Sequence, residues 1–180
     1  MKTRSLSLLG CALALVAVPS IGATPPADGA HDFDFDLGQW KTHIVRRVHP
    51  LSGSDETMVL DGTVNVRKLW NGRAQVEEIE ADGPKGHWEG MTIFLYDPEA
   101  RQWSMNFANS AVGKFSTPMI GSFAEGRGTL VGTDTLDGRA ILVRAVWSDF
   151  TATTHQYQES YSADGGRTWE VVFTATKTKV

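Results

Sequence analysis

The chain has 180 residues, 21% charged and 41% hydrophobic, with 17 Lys and Arg against 21 Asp and Glu for a formal net charge of -4. That length fits one domain, and an acidic balance without a Lys/Arg cluster excludes a nucleic-acid binder working through a basic face. Only one apolar run is long enough to consider for a membrane, which excludes a polytopic membrane protein.

That run comes first. Lys2 and Arg4 precede an apolar stretch from Leu6 to Val18, and Pro19, Ser20, Gly22 and Ala23 follow it. The order of charged, apolar and small residues is that of a secretory signal, and the core is too short to span a bilayer comfortably. Residues 1–23 therefore read as a signal peptide cut after Ala23, with no stable membrane insertion once it is removed. Leu8-Leu9-Gly10-Cys11 has the look of a lipobox, but Ala12–Val18 continues the apolar core beyond Cys11, where a lipid-modified Cys should close it. Cleavage after Ala23 removes Lys2, Arg4 and the single Cys, leaving 15 basic against 21 acidic residues and a charge of -6. The expected product is a periplasmic or secreted domain with no disulfide, thiolate metal site or Cys nucleophile.

Residues 24–30 (TPPADGA) form a flexible spacer, and the domain proper is expected over residues 31–180. A helical turn fits His31–Gly38, where Phe33 and Leu37 share a face. Beyond it the chain alternates with period two in ten stretches. These are Trp40–Val48, Met58–Trp70 (with a possible break at Asp61-Gly62), Arg73–Ala81, His87–Tyr96, Arg101–Asn109, Thr117–Ala124, Gly128–Asp134, Arg139–Ser148, Thr153–Ser162 and Arg167–Lys177. Turn signals such as Asn71-Gly72, Glu125-Gly126 and Asp137-Gly138 separate them, and such pairs favour the positive φ values of tight hairpins. Connections this short cannot hold crossover helices, so the sheet is antiparallel. The expected fold is all-β: an antiparallel up-and-down barrel of 8–10 strands, a closure that leaves no free edges, with a short N-terminal helical turn.

Alternation also assigns faces. Trp103, Met105 and Phe107 share one, as do Ile141, Val143, Ala145 and Trp147, and again His155, Tyr157, Glu159 and Tyr161. Of the six Trp residues, Trp40, Trp147 and Trp169 are expected in the core, while Trp88 and Trp103 suit either core or cavity.

Gly38-x-Trp40, opening the first strand after an aromatic turn, resembles the Gly-x-Trp signature of lipocalins and other calycins, in which the Trp plugs the closed end of the barrel. With WEGMTIFLYDPEARQWSMNFANS (88–110), GSFAEGRGTLVGTDTLDGRAILVRAVWSD (121–149) and YSADGGRTWE (161–170), nearly the whole exported chain resembles the bacterial family called domain of unknown function 1579. The resemblance implies a calycin-like, lipocalin-like β-barrel and export, and it brings no established activity. The C-terminal EVVFTATK departs from the Trp and final Arg expected in relatives, and Lys177 or Lys179 would replace that Arg against the Trp40 indole.

Ser162–Trp169 fits the Asp-box pattern Ser-x-Asp-x-Gly-x-Thr-Trp. A propeller needs several copies at repeat spacing and the chain has one, so Asp164, Gly166 and Trp169 read as a structural turn, as Gly38 and Trp40 read as a structural plug. Glu78 and Glu80 share a strand face about 7 Å apart, a spacing that suits acid/base pairs and also a solvated face, which is the reading preferred here. The five His residues show no metal-ligand spacing, so no metal is expected, and no Gly-x-Ser-x-Gly elbow is present. The reading the chain supports is a barrel binding a small apolar or amphipathic molecule in its cavity, with no cofactor. Candidate lining residues are Trp88, Glu89, Trp103, Met105, Phe107, Arg144, His155, Tyr157 and Glu159, with Arg144 as polar anchor. The alternatives are an enzyme using Glu89, Glu159 or His155 as acid/base in the same cavity, and a haem barrel with His155 as axial ligand, as in nitrobindins.

Overall fold

The computed structural model describes residues 28–180; the stretch read as a signal peptide, Cys11 and the first part of the expected spacer lie outside the described residues. The strands are β1 (Gly38–Arg47), β2 (Thr57–Leu69), β3 (Ala74–Gly83), β4 (Gly86–Asp97), β5 (Gln102–Asn109), β6 (Met119–Ala124), β7 (Arg127–Leu136), β8 (Arg139–Ser148), β9 (Thr154–Ser162) and β10 (Glu170–Lys179). Every strand pairs antiparallel with its sequence neighbours, and β1 pairs with β10. The result is a closed ten-stranded up-and-down barrel. Each of the ten alternating stretches is a strand, with ends displaced by a few residues.

The turn chemistry acts as expected. Glu125-Gly126 and Asp137-Gly138 take positive φ at both positions (52° and 71°, 49° and 78°), the geometry whose twist matches the flanking strands. Asp61-Gly62 does not break β2. A Cβ on Gly62 would stand 2.0 Å from the Glu80 carbonyl, so the missing side chain lets β2 and β3 pass unusually close within one continuous strand.

The ladder registers fix one interior set: Trp40, Thr42, Ile44 and Arg46 on β1 face the same side as Val64, Glu77, Thr92 and Phe107 around one wall. Ile141, Val143, Ala145 and Trp147 join it from β8, and His155, Tyr157, Glu159 and Tyr161 from β9. The up-and-down topology puts both chain ends at one end of the barrel. A 3₁₀ turn over Asp34–Asp36 caps that end. The turn drives Phe33 into the barrel, where its ring lies 4.5 Å from Phe94 and packs edge-on to Trp103, Trp147 and Phe123. Asp28–Ala30, assigned above to the spacer, are tied down: Trp103 Nε1 donates to Gly29 O at 2.9 Å and the Tyr96 hydroxyl donates to Asp28 O.

The plug at the closed end is Trp40, 2% exposed, whose Nε1 donates to Asp36 O at 2.7 Å. Gly38 supplies the entry angle with φ +110°, a conformation closed to most side chains. Of the two lysines expected against the Trp40 indole, Lys179 is the one that covers it. Its Nζ stands 4.7 Å from the Trp40 ring centroid and donates to Leu37 O at 3.0 Å, a cation over an aromatic face.

Candidate functional site

Below the loops of the open end, the barrel encloses a cavity of about 370 Å³. Its walls are aromatic: Trp88, Phe94, Phe107, Trp147, Tyr157 and Phe173. Trp88 stacks on Phe107 with ring centroids 6.0 Å apart, and Tyr157 bridges the two halves of the core, touching Trp147 at 5.0 Å and Phe173 at 5.9 Å. The segment between β5 and β6 borders the mouth with Val112, Lys114 and Phe115, and Arg46 and Asp134 line it as well.

The floor is charged. Lys177, inward-facing near the end of β10, donates to both oxygens of Asp36 at 2.9 and 3.1 Å and to Glu77 Oε2. Asp36 and Lys177 are buried, at 0% and 3% exposure, while Glu77 is partly open toward the cavity. His155 lies beneath, its Nε2 3.0 Å from Asp36 Oδ1 without hydrogen-bond alignment. Burial would raise the Asp36 carboxyl, but Lys177 and His155 outweigh it and hold it below the usual carboxylate range. Burial would depress Lys177, and the two carboxylates raise it instead. Glu77 is the partner left over. Burial, helped by the charge of Asp36, pushes it up to about 7 against the pull of Lys177. One cation between two carboxylates does not hold both in the ordinary range: Asp36, with Lys177 and His155 beside it, keeps its charge, and Glu77, with Lys177 alone, yields.

Higher on the wall, the Tyr157 hydroxyl donates to Glu159 Oε2 at 3.0 Å. Burial raises Glu159 although Tyr157 and Tyr161 both bond it, and burial beside that carboxylate raises both phenols.

The predicted site residues divide cleanly. Trp88, Met105, Phe107, Tyr157 and Glu159 line the cavity. Trp103 has the predicted face but belongs to the packed layer below, 1% exposed against Phe33. Glu89 is exposed on the outer face, as adjacency to the inward Trp88 requires. Arg144 is also outside: its neighbours Val143 and Ala145 point in, and its guanidinium stands 4.2 Å over the Trp169 ring. The polar-anchor assignment is therefore corrected. His155 lies beneath the cavity floor, 2% exposed, with Trp40 and Phe35 edge-on at 4.6 and 5.0 Å. A ring so enclosed, with Nε2 facing Asp36, does not fit an axial haem ligand, and of the three acid/base candidates only Glu159 faces the cavity. Glu78 and Glu80 are exposed, as a solvated face predicts. Glu77, Lys177 and Asp36 were not foreseen.

The Asp box is a turn. Asp164 Oδ1 accepts from Arg167 N (3.0 Å) and Thr168 N (2.9 Å), Oδ2 accepts from the Thr168 hydroxyl at 2.6 Å, and Trp169 Nε1 donates to Gly166 O at 3.0 Å. These bonds, that of the Thr168 hydroxyl foremost, lower the Asp164 carboxyl to about 2. Gly165 and Gly166 take φ of +73° and +87°.

Closed strand order, a short capping turn and a Trp plug define a calycin-like barrel. The chain matches no family model and no curated protein. Among solved structures it is similar to the S-type phycobiliprotein lyase CPES from Guillardia theta, at 10% identity over 83% of this chain and 91% of that one, with a TM-score of 0.54. Two further similar structures are EF1p2_mFAP2b bound to DFHBI (9% identity, 84% and 99% covered, TM-score 0.47) and the redesigned beta barrel mFAP0 bound to DFHBI (10%, 81% and 99%, 0.45).

Proposed function

We propose that this chain is an exported, periplasmic or secreted barrel, related to the family called domain of unknown function 1579, that holds a small apolar or amphipathic molecule in its interior. The observation that carries this is the cavity. At about 370 Å³ it lies within the range of ligand pockets, roughly 300–1,000 Å³, and it has their composition of apolar walls with a few convergent polar groups. The polar groups are at the floor and on one side, so a bound molecule would be oriented.

The test is a titration of the purified exported protein with the neutral fluorophore N-phenylnaphthylamine, repeated on Thr92→Phe. Thr92 lines the middle of the cavity, between Glu77 and Phe107 in the ladders, and a Phe there fills it. Saturable binding to the wild-type protein, lost in a folded Thr92→Phe variant, is the expected result. Equal binding to both proteins would place the fluorophore elsewhere and sink the reading.

A further inference from the structure

A buried polar group can serve a ligand only with bonding capacity the protein has not used. At the cavity floor the one ammonium is already engaged by carboxylates: Lys177 is chelated by Asp36 Oδ1 and Oδ2 and donates to Glu77 Oε2. On the wall, the Tyr157 hydroxyl is given to Glu159 at 3.0 Å, and Tyr161 stands beside the same carboxylate. What remains facing the deep half of the cavity is acceptor capacity: Oε1 of Glu77, which takes no donor from the described residues, and the free lone pairs of Glu159 and the two phenols. Thr92 offers a single hydroxyl. The cations Arg46 and Lys114 stand at the mouth, exposed to solvent.

Charge runs the same way. Lys177 is already balanced by Asp36, and Arg46 and Asp134 offset each other beside Glu159 higher on the wall, so Glu77 is the charge that faces the floor of the cavity without a cation of its own. A ligand carboxylate sent to this floor would find like charge and only the Thr92 hydroxyl to accept from, whereas an ammonium would find both an acceptor and an opposite charge. Aromatic faces on the walls add attraction for a cation.

We infer that the cavity selects amphipathic molecules with a protonated nitrogen, an amine seated on Glu77 with its apolar body between the aromatic walls, over fatty-acid-like anions. This rests on the cavity being a binding site, and the experiment separates the two ideas. Naphthylethylamine, naphthylethanol and naphthylpropionate share one body and differ in the head. Their affinities are measured by calorimetry at about pH 8, above the Glu77 midpoint and below that of an alkylammonium, alongside N-phenylnaphthylamine. The amine is expected to bind at least about tenfold more tightly than the acid, with the alcohol between them. Glu77→Gln is expected to weaken the amine about tenfold and to leave the alcohol within about twofold, since only the charged head loses its counter-charge. If the fluorophore binds and the acid equals or exceeds the amine, the head-group inference falls and the cavity site stands. The same holds if a folded Glu77→Gln protein keeps the full amine preference. If the fluorophore and all three probes fail to bind, both ideas fall. The wild-type ratio of amine to acid decides the matter should Glu77→Gln not fold.

Discussion

Replacing Glu77 by Gln should make the barrel more stable above neutral pH. In the folded protein the Glu77 carboxyl titrates near 7, against 4.5 for an ordinary glutamate, because it is buried beside Asp36. Between those values the folded state holds a proton that the unfolded chain has lost. Stability contributed by this group is therefore fully present below about 4.5 and is lost as pH rises through about 7. A shift of that size, at about 1.4 kcal/mol per pH unit, is worth roughly 3 kcal/mol at most. Part of it is shared with Lys177, whose ammonium Glu77 touches, so the expected gain is roughly 1–3 kcal/mol. Glutamine has the shape of the protonated acid, keeps an oxygen for Lys177, and leaves the Asp36–Lys177 pair intact. Urea unfolding across a pH series measures the effect. Wild type and variant should match near the acid end and diverge as pH passes 7, with the variant the more stable at about pH 8. A variant less stable than wild type at about pH 8 would refute the reasoning: it would mean that Lys177 needs both carboxylates ionised and that Glu77 is a net favourable charge.

Asp36→Asn should act in the opposite direction, costing about 3–5 kcal/mol, since a buried ammonium loses its principal partner; it should also lower the Glu77 midpoint, which NMR titration of the Glu77 carboxyl would follow. Trp40→Ala should cost about 3–5 kcal/mol, against roughly 0.5–1 kcal/mol for Lys179→Ala, which removes only the cation over the ring; thermal melts rank the two, and a Trp40→Ala melt matching wild type would undo the plug. Asp164→Ala should lower the melting temperature and leave N-phenylnaphthylamine binding unchanged, because its carboxylate serves only its own hairpin. With its carboxyl lowered to about 2, the stability Asp164 contributes should be present above about 4 and fade as pH falls through about 2 in wild type alone. The exported protein should begin at Thr24, and N-terminal sequencing that found a lipid-bearing Cys11 would contradict this.

The period-two pattern was sufficient for the barrel because it carries the two facts a barrel needs: where strands lie and which side faces in. In β8 the alternation of Ile141, Val143, Ala145 and Trp147 settles the inner face, and that same alternation forbids Arg144 as an anchor. Adjacent Trp88 and Glu89 could not both point inward for the same reason. Depth along the axis is a different quantity. Trp103 and Phe107 share a face, yet one is sealed under Phe33 and the other lines the cavity. That difference is set by the stagger of ten strands and by the reach of the N-terminal turn, and no local pattern encodes either.

The charged floor leaves no mark in the local sequence for a related reason. Its three members come from the capping turn, β3 and β10, and 141 residues separate Asp36 from Lys177. Glu77 sits in the run Glu77-Glu78-Ile79-Glu80, where acids on both faces erase the alternation that would have marked it as inward. Asp36 had one usable sign. In a 3₁₀ turn residues three apart eclipse, so Asp36 follows Phe33 inside, but only once the turn is known to be 3₁₀. Lys177 then has to be where it is, because Asp36 arrives buried and a lone carboxylate there would be untenable. The cluster thus joins the two ends of the chain at the closed end and, through Glu77, turns that joint into the polar floor of the cavity.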